Sequence, residues 1–364
     1  MPIHPKLFVN DLTVYEPGRP LEEVAREFGL EPGELVKLAS NENSLGPSPK
    51  AVEAMRSVAP EMHLYPDGGA FFLRKALAKS LSVAENQLIF GNGSNELIEF
   101  LGHVFLEQNT NIVMSECAFI IYHLVARGCE ADTKMVPMTN FTHDLEAMLE
   151  SIDGHTRMVF IANPNNPTGT MVSNEDIAAF MDRVPPHVLV VFDEAYIELL
   201  DPAFVPDTMR YISDGRAIIL RTFSKAYGLA GLRIGYAIAS AEIITLLEKF
   251  RQPFNTSAMA QAAALASLED EEFVINTRKL VAEGLDYFTR SFSEMDLEIV
   301  PSVVNFLLVK TGNGRNVFES LQQQGIIVRP MDPYGLPDFI RITIGTASEN
   351  EACVSALRRV LGIS

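Results

Sequence analysis

The chain is 364 residues long, 47% hydrophobic, and carries a formal net charge of -18. That length exceeds what one ordinary hydrophobic core organises, so a large and a smaller domain are expected. The charge argues against nucleic acid and anionic membrane as partners, since both would repel it, and leaves positive charge necessary only in a local anion pocket.

In chain order, an N-terminal arm comes first, with Tyr15 in Val14-Tyr15-Glu16-Pro17-Gly18, then a stretch broken by Pro47, Pro49, Pro60 and Pro66. Segments of this kind run over a surface more often than through a core. Strand candidates follow at 87–90, 111–114, 133–136, 158–162, 188–192, 217–221 and 234–239, separated mostly by helical stretches. Short β-branched runs alternating with amphipathic segments predict an α/β fold with a mainly parallel sheet between helices. Near the C-terminus the rhythm changes to strands at 305–310, 326–329 and 340–344 around a helix at about 315–324, which suits a smaller α+β domain. The expected division is 1–50 for the arm and part of the small domain, 51–285 for the large domain and 286–364 for the small one, with the last boundary inside a long helix.

Four segments carry chemistry. Gly91-Asn92-Gly93-Ser94-Asn95 stands between a strand and a helix starting near Asn95, where backbone N–H groups bind phosphate without any cationic side chain. Asn163-Pro164-Asn165-Asn166-Pro167-Thr168-Gly169 is a rigid loop, its prolines and glycine leaving the Asn166 amide free to reach a ligand. Asp193 ends the apolar run 188–192, the pattern of a strand buried on both faces, and a carboxylate there points into the crevice where open α/β sheets bind ligands. An acidic helix cap is the rival reading of Asp193 alone. The fourth, 222–233, sets the amine of Lys225 between the hydroxyls of Thr222 and Ser224, with the guanidinium of Arg233 eight residues on. Lysine bonds aldehydes, while hydroxyls and a planar arginine suit phosphate oxygens, and pyridoxal 5'-phosphate has both groups. Alone, the fourth segment could be a solvated lysine in a turn.

Together these segments resemble, in order and spacing, the fold-type I pyridoxal phosphate enzymes of the aspartate aminotransferase superfamily. The chain is more closely similar to histidinol-phosphate aminotransferases, through Lys37-Leu38-Ala39-Ser40-Asn41-Glu42-Asn43 with Gly46-Pro47, Tyr65-Pro66-Asp67-Gly68, Asp193-Glu194-Ala195-Tyr196 and Arg341-Ile342-Thr343-Ile344-Gly345. The resemblance implies a seven-stranded large-domain sheet. It makes Lys225 the Schiff-base lysine and proton shuttle, Asp193 the pyridinium partner, and Asn166 and Tyr196 the ligands of the cofactor's O3'. Ser94 and Asn95 by their backbone, with Thr222, Ser224 and Arg233, would hold the phosphate. Phe119 stands where an aromatic ring, often Tyr, stacks on the cofactor; stacking survives but a hydroxyl is lost. Tyr65 would be lent to the phosphate of a neighbouring subunit in a homodimer, and Tyr15 would cover the partner's substrate. Asn43 is placed with Tyr15 on the substrate side.

Arg329 follows Ile326-Ile327-Val328 and Arg341 opens Ile342-Thr343-Ile344, so each charge sits beside residues expected to be buried and needs an anionic partner. Asp332 and Asp338 could serve Arg329. By resemblance Arg341 is the substrate-anion arginine with Arg329 beside it. The expected reaction converts histidinol phosphate and 2-oxoglutarate to imidazole acetol phosphate and glutamate, a step of histidine biosynthesis. An aromatic amino acid aminotransferase is the alternative, with a pyridoxal phosphate decarboxylase or a non-catalytic cofactor-sensing regulator behind it. Three cysteines, Cys117, Cys129 and Cys353, form neither an even disulfide set nor a metal spacing, and read as thiols of a cytoplasmic protein. The seven histidines show no ligand pairing and are expected on surfaces or helices.

Overall fold

The computed structural model describes residues 9, 21–31, 33, 35–213 and 215–363; Tyr15 lies outside them. Strand β1 is Val36–Lys37. The large sheet comprises β2 (Leu88–Gly91), β3 (Asn111–Ser115), β4 (Asp132–Val136), β5 (Thr156–Ala162), β6 (Leu189–Asp193), β7 (Ala217–Thr222) and β8 (Gly235–Ala239), in the order β2-β8-β7-β6-β5-β3-β4. Only β8 runs against its neighbours. Its reversal brings Gly235 opposite both Gly91 and Thr222, so the ends of β2 and β7 flank a glycine whose added Cβ would come 2.6 Å from the Ser94 nitrogen.

Strands β5 and β6 are apolar on both faces because both faces are covered, as a parallel sheet requires. Val159 and Ile161 join one core with Val190 and Phe192. Met158, Phe160 and Ala162 point the other way, into a second core with Leu189 and Val191.

The C-terminal unit contains β9 (Ile299–Val304), β10 (Phe306–Lys310), β11 (Ile326–Ile327), β12 (Arg329–Pro330) and β13 (Phe339–Thr343). The run 326–329 is therefore not one strand. Strand β11 pairs with β1, while β12 joins β13 in the four-stranded sheet β12-β13-β10-β9. Strand β9 was not expected from the sequence. Pro301 and Ser302 interrupt its pattern, and it lies at a sheet edge, where a missing backbone donor is tolerated.

Helix Glu271–Glu294 spans 24 residues. Its N-terminal half buries Val274 and Val281 beside Tyr196 and Ala226, and its C-terminal half buries Phe288 and Phe292 in the core of the C-terminal unit. One rod thus contributes to both. A second joint lies at Gly228, which has φ +68° and would place an added Cβ 2.0 Å from the Gly46 carbonyl oxygen. The segment after β1 consequently passes in direct contact over the turn that follows Lys225.

His143 departs from the surface position expected for it. It is 5% exposed, because the carbonyl of Ala162 accepts from its Nε2 at 2.8 Å and the Ser115 hydroxyl reaches its Nδ1 at 2.6 Å. Two hydrogen bonds satisfy both ring nitrogens of the neutral form, and burial brings its pKa down to about 4.

Candidate active site

The carboxyl ends of β5, β6 and β7 open into a cleft of about 760 Å³. An adjoining lobe of about 160 Å³ lies toward the C-terminal unit. Ser40, Phe119, Asn166, Tyr196 and Lys225 line both.

Asp193 is the last residue of β6, paired with Ala162 of β5, and is buried. Its Oδ1 accepts from the Ala195 N–H at 3.2 Å and its Oδ2 from the Tyr122 hydroxyl at 2.6 Å. Burial pushes its carboxyl up to about 6, while the bonds from Tyr122 and Ala195 and the Lys225 charge pull the other way. Glu194 faces the opposite side of the strand and pairs with Arg221 at 2.7 Å.

Lys225 is half-buried in the turn after β7, its Nζ 3.3 Å from the Ser40 carbonyl oxygen and 5.5 Å from the centre of the Tyr196 ring. Burial, seconded by the Arg341 cation, brings its amine down to about 8. About a tenth of the amine is therefore neutral near pH 7, far more than for an ordinary lysine, and only the neutral amine attacks a carbonyl or takes a proton. Tyr196 accepts a 3.0 Å bond from Asn41 Nδ2, and burial lifts its phenol to about 12, so it remains a donor.

At one end of the cleft, helix Ser94–Phe105 begins after Gly93, whose φ of 78° no side-chain cap accompanies. That backbone conformation, with Arg233 Nη2 2.5 Å from where a Cβ would stand, is one that glycine adopts without strain. Thr222 and Ser224 are bonded hydroxyl to hydroxyl at 2.9 Å, and Arg233 Nη1 lies 3.4 Å from Ser224 Oγ. A helix N-terminus, two hydroxyls and a guanidinium around one space suit a phosphate group. With the amine of Lys225 and the carboxylate of Asp193 farther along the cleft, the residues fit pyridoxal 5'-phosphate.

At the other end, β12 and β13 place Arg329 directly opposite Arg341, and both line the smaller lobe. Arg341 is 7% exposed; it donates to Asn166 Oδ1 at 2.5 Å and to the Ala39 carbonyl at 3.0 Å, over the Phe306 ring. Asp332, one candidate partner of Arg329 in the sequence, is held by Arg315 at 2.7 Å.

The structure thus gathers Ser94, Asn95, Phe119, Asn166, Asp193, Tyr196, Thr222, Ser224, Lys225, Arg233, Arg329 and Arg341 around the two lobes. Asn43 is not among them. Its Nδ2 is used by the Ala226 carbonyl and the Thr277 hydroxyl, each at 3.0 Å, and its Oδ1 by the Leu45 N–H. Tyr65 is 83% exposed and stacks on Phe254 at 4.8 Å, away from the cleft of its own chain.

Among the lining residues that the sequence reading did not assign to the site, Asn41, Tyr334 and Tyr122 bear on its chemistry. Asn41 stood in a quoted motif but its contact with Tyr196 is long-range. Tyr334 arrives from the C-terminal unit. Tyr122 lies in the first turn of the helix Ile121–Gly128, which Phe119 precedes, and the two rings meet edge to face at 5.7 Å.

The family model described as aminotransferase class I and II matches residues 33–357. The histidinol-phosphate aminotransferase of Akkermansia muciniphila is 49% identical over 97% of this chain and 97% of its own length. That of Moorella thermoacetica is 45% identical over 95% and 90%. In structure, the chain superposes with a TM-score of 0.89 on the histidinol-phosphate aminotransferase of Sinorhizobium meliloti in complex with pyridoxal 5'-phosphate, at 28% identity over 98% and 97% of the two chains. A Thermus thermophilus aspartate aminotransferase double mutant shares the fold alone, with a TM-score of 0.85 at 22% identity over the full length of both. The chain belongs to the class I and II aminotransferases and, within them, to the histidinol-phosphate aminotransferase family.

Proposed function

We propose that this chain moves the amino group of histidinol phosphate to 2-oxoglutarate, giving imidazole acetol phosphate and glutamate. The observation that carries the reading is the opposition of Arg329 and Arg341 in a lobe that Lys225 also lines. Two guanidiniums suit a tetrahedral phosphate of nearly two charges, and a single one still clamps a planar carboxylate. One pocket can therefore seat the phosphate ester of one donor and the α-carboxylate of the other.

Pyridoxal 5'-phosphate, when bound, supplies an aldehyde that bonds amines and a ring that accepts electron density from the carbon next to nitrogen. Lys225 Nζ is the residue that tethers it and that takes the proton from the donor's Cα and returns it. Asp193 would hold the proton on the ring nitrogen, and Phe119 would supply an aromatic face for the ring. Asn166 and Tyr196 steady its O3', and Asn166 does so while bonded to Arg341. Ser94, Asn95, Thr222, Ser224 and Arg233 hold the phosphate.

The active form is a homodimer in this reading. Leu64, Tyr65 and Phe72 are exposed at 61, 83 and 73%, and Tyr65 stacks on the exposed Phe254 while Phe72 meets the exposed Phe71, apolar surface of the kind that marks an interface. A two-fold contact covering it would carry each Tyr65 toward the partner's phosphate cradle. Mixing Tyr65→Ala with Lys225→Ala subunits should restore activity, because one site of each heterodimer then keeps both residues. Heterodimers as inactive as the parents would place Tyr65 outside the partner's site. Among the described residues, no helix is long and apolar enough to cross a membrane. No disulfide joins Cys117, Cys129 and Cys353, in keeping with a cytoplasmic enzyme.

The substrate reading is tested by assaying purified protein with histidinol phosphate, phenylalanine and tyrosine as donors to 2-oxoglutarate. Histidinol phosphate should give the highest kcat/KM. A higher value for phenylalanine would turn the assignment to aromatic amino acids.

A further inference from the structure

The Asp193 carboxylate is oriented by a residue that the reaction scheme above does not use. Tyr122 is fully buried in the helix Ile121–Gly128, three residues after Phe119. Its ring stacks on Phe160 with centroids 4.4 Å apart and meets the edge of Phe119 at 5.7 Å. Packing from both sides fixes where the hydroxyl points, and it points at Asp193 Oδ2, 2.6 Å away. The phenol donates and the carboxylate accepts, since burial and then the charge of Asp193 hold Tyr122 far above its ordinary pKa.

We propose that Tyr122 is the positioning residue of Asp193: its hydroxyl occupies Oδ2 and holds the carboxylate charged and turned toward the ring nitrogen of the bound cofactor. The inference rests on the cofactor reading above. A buried carboxylate can relieve its desolvation by taking up a proton, and a neutral Asp193 would no longer form an ion pair with a pyridinium. Among the described residues, Tyr122 and the Ala195 N–H donate to this carboxylate, and Glu194 and Lys225 are charged groups that act on it. Charge-assisted bonds to a buried carboxylate are the stronger kind. Phe119 and Tyr122 then form one aromatic unit, the first ring facing the cofactor and the second anchoring the carboxylate beneath it.

The test is a double-mutant cycle read by cofactor affinity, measured as absorbance of protein titrated with pyridoxal 5'-phosphate. Tyr122→Phe keeps the ring and its stacking on Phe160. It should weaken affinity about tenfold or more, the scale of one hydrogen bond to a charged group. In the Asp193→Asn background the same change should cost less than about twofold, because the charge that the hydroxyl serves is gone. An equal loss in both backgrounds would make Tyr122 a packing residue and overturn the proposal, as would no loss in either. Thermal melts accompany each protein. If Tyr122→Phe fails to fold alone, the proposal expects Asp193→Asn to restore folding by removing the stranded charge, and failure of both variants counts against it. A wild-type protein that takes up no cofactor would instead sink the cofactor reading, before the cycle begins.

Discussion

The cradle at Ser94, Thr222, Ser224 and Arg233 and the lobe of Arg329 and Arg341 both offer positive charge to an anion, yet they are made of different material. The cradle relies on a helix N-terminus and hydroxyls that are themselves held, Thr222 by Ser224 and Ser224 by its proximity to Arg233. Its one guanidinium is exposed. The lobe relies on side-chain charge, with Arg341 buried and braced by Asn166 and Ala39. Fixed backbone donors suit one group of constant shape that stays; paired guanidiniums suit groups that come and go and differ in charge. In this cleft the cofactor's phosphate is the first kind, and substrate anions are the second.

Removing the amine between the two corners should have the largest effect. Lys225→Ala is expected to lower kcat by at least about 10²-fold, as losing a general base does, while leaving both anion corners intact. Borohydride should fix the cofactor to wild type and not to the variant. Turnover like wild type would dissolve the division of labour altogether.

Arg341→Ala is expected to cost about 10- to 100-fold in kcat/KM for every donor, since it removes a charge-assisted bidentate contact worth roughly 1.5–3 kcal/mol. Arg329→Ala should discriminate: about tenfold for histidinol phosphate and little for phenylalanine, whose carboxylate needs one guanidinium. Equal losses for both donors would mean that the lobe does not count charges, and the phosphate ester would lose its claim.

The smallest effect belongs to the cradle. Ser224→Ala should weaken cofactor affinity by only about 3- to 10-fold, one neutral hydrogen bond among several, with donor preference unchanged. A changed preference would show the corners to be coupled. A pH series separates amine from cradle. Lys225 has an amine lowered to about 8, so the rate of covalent cofactor capture by apoprotein should be flat above that pH and fall about tenfold per unit below it, as the reactive neutral form is lost. A rate that stays level down to pH 6 would contradict that lowering.

Much of this was legible in the sequence where the chemistry is local. Lys225, Thr222, Ser224 and Arg233 stand within twelve residues, and Asp193 was marked by the apolar run before it. The register of Arg329 with Arg341 was not legible, because a cross-strand pairing depends on where β12 and β13 begin, and the run 326–329 gave no sign that Val328 divides it. Tyr122 was concealed by good camouflage: a tyrosine in Ile120-Ile121-Tyr122-His123-Leu124 reads as ordinary core, and only its polar tip has a task. His143 was misjudged for a related reason. Composition places histidine at the surface, while its two hydrogen bonds, to Ser115 and Ala162, exist only once β3 and β5 lie side by side. The domain boundaries drawn at 50 and 285 remain a proposal, in which the helix Glu271–Glu294 is shared by both units.

The crossing at Gly228 has a mechanical consequence. With the Gly46 carbonyl where even a methyl group would collide, the two segments are in contact and cannot be pressed closer. The crossing therefore ties the backbone that leads away from β1 to the turn three residues after Lys225. Gly228→Ala would drive these two backbones apart and put a side chain at φ +68°, so its signature would be a lowered melting temperature and a displaced Lys225 turn rather than a weakened grip on either anion.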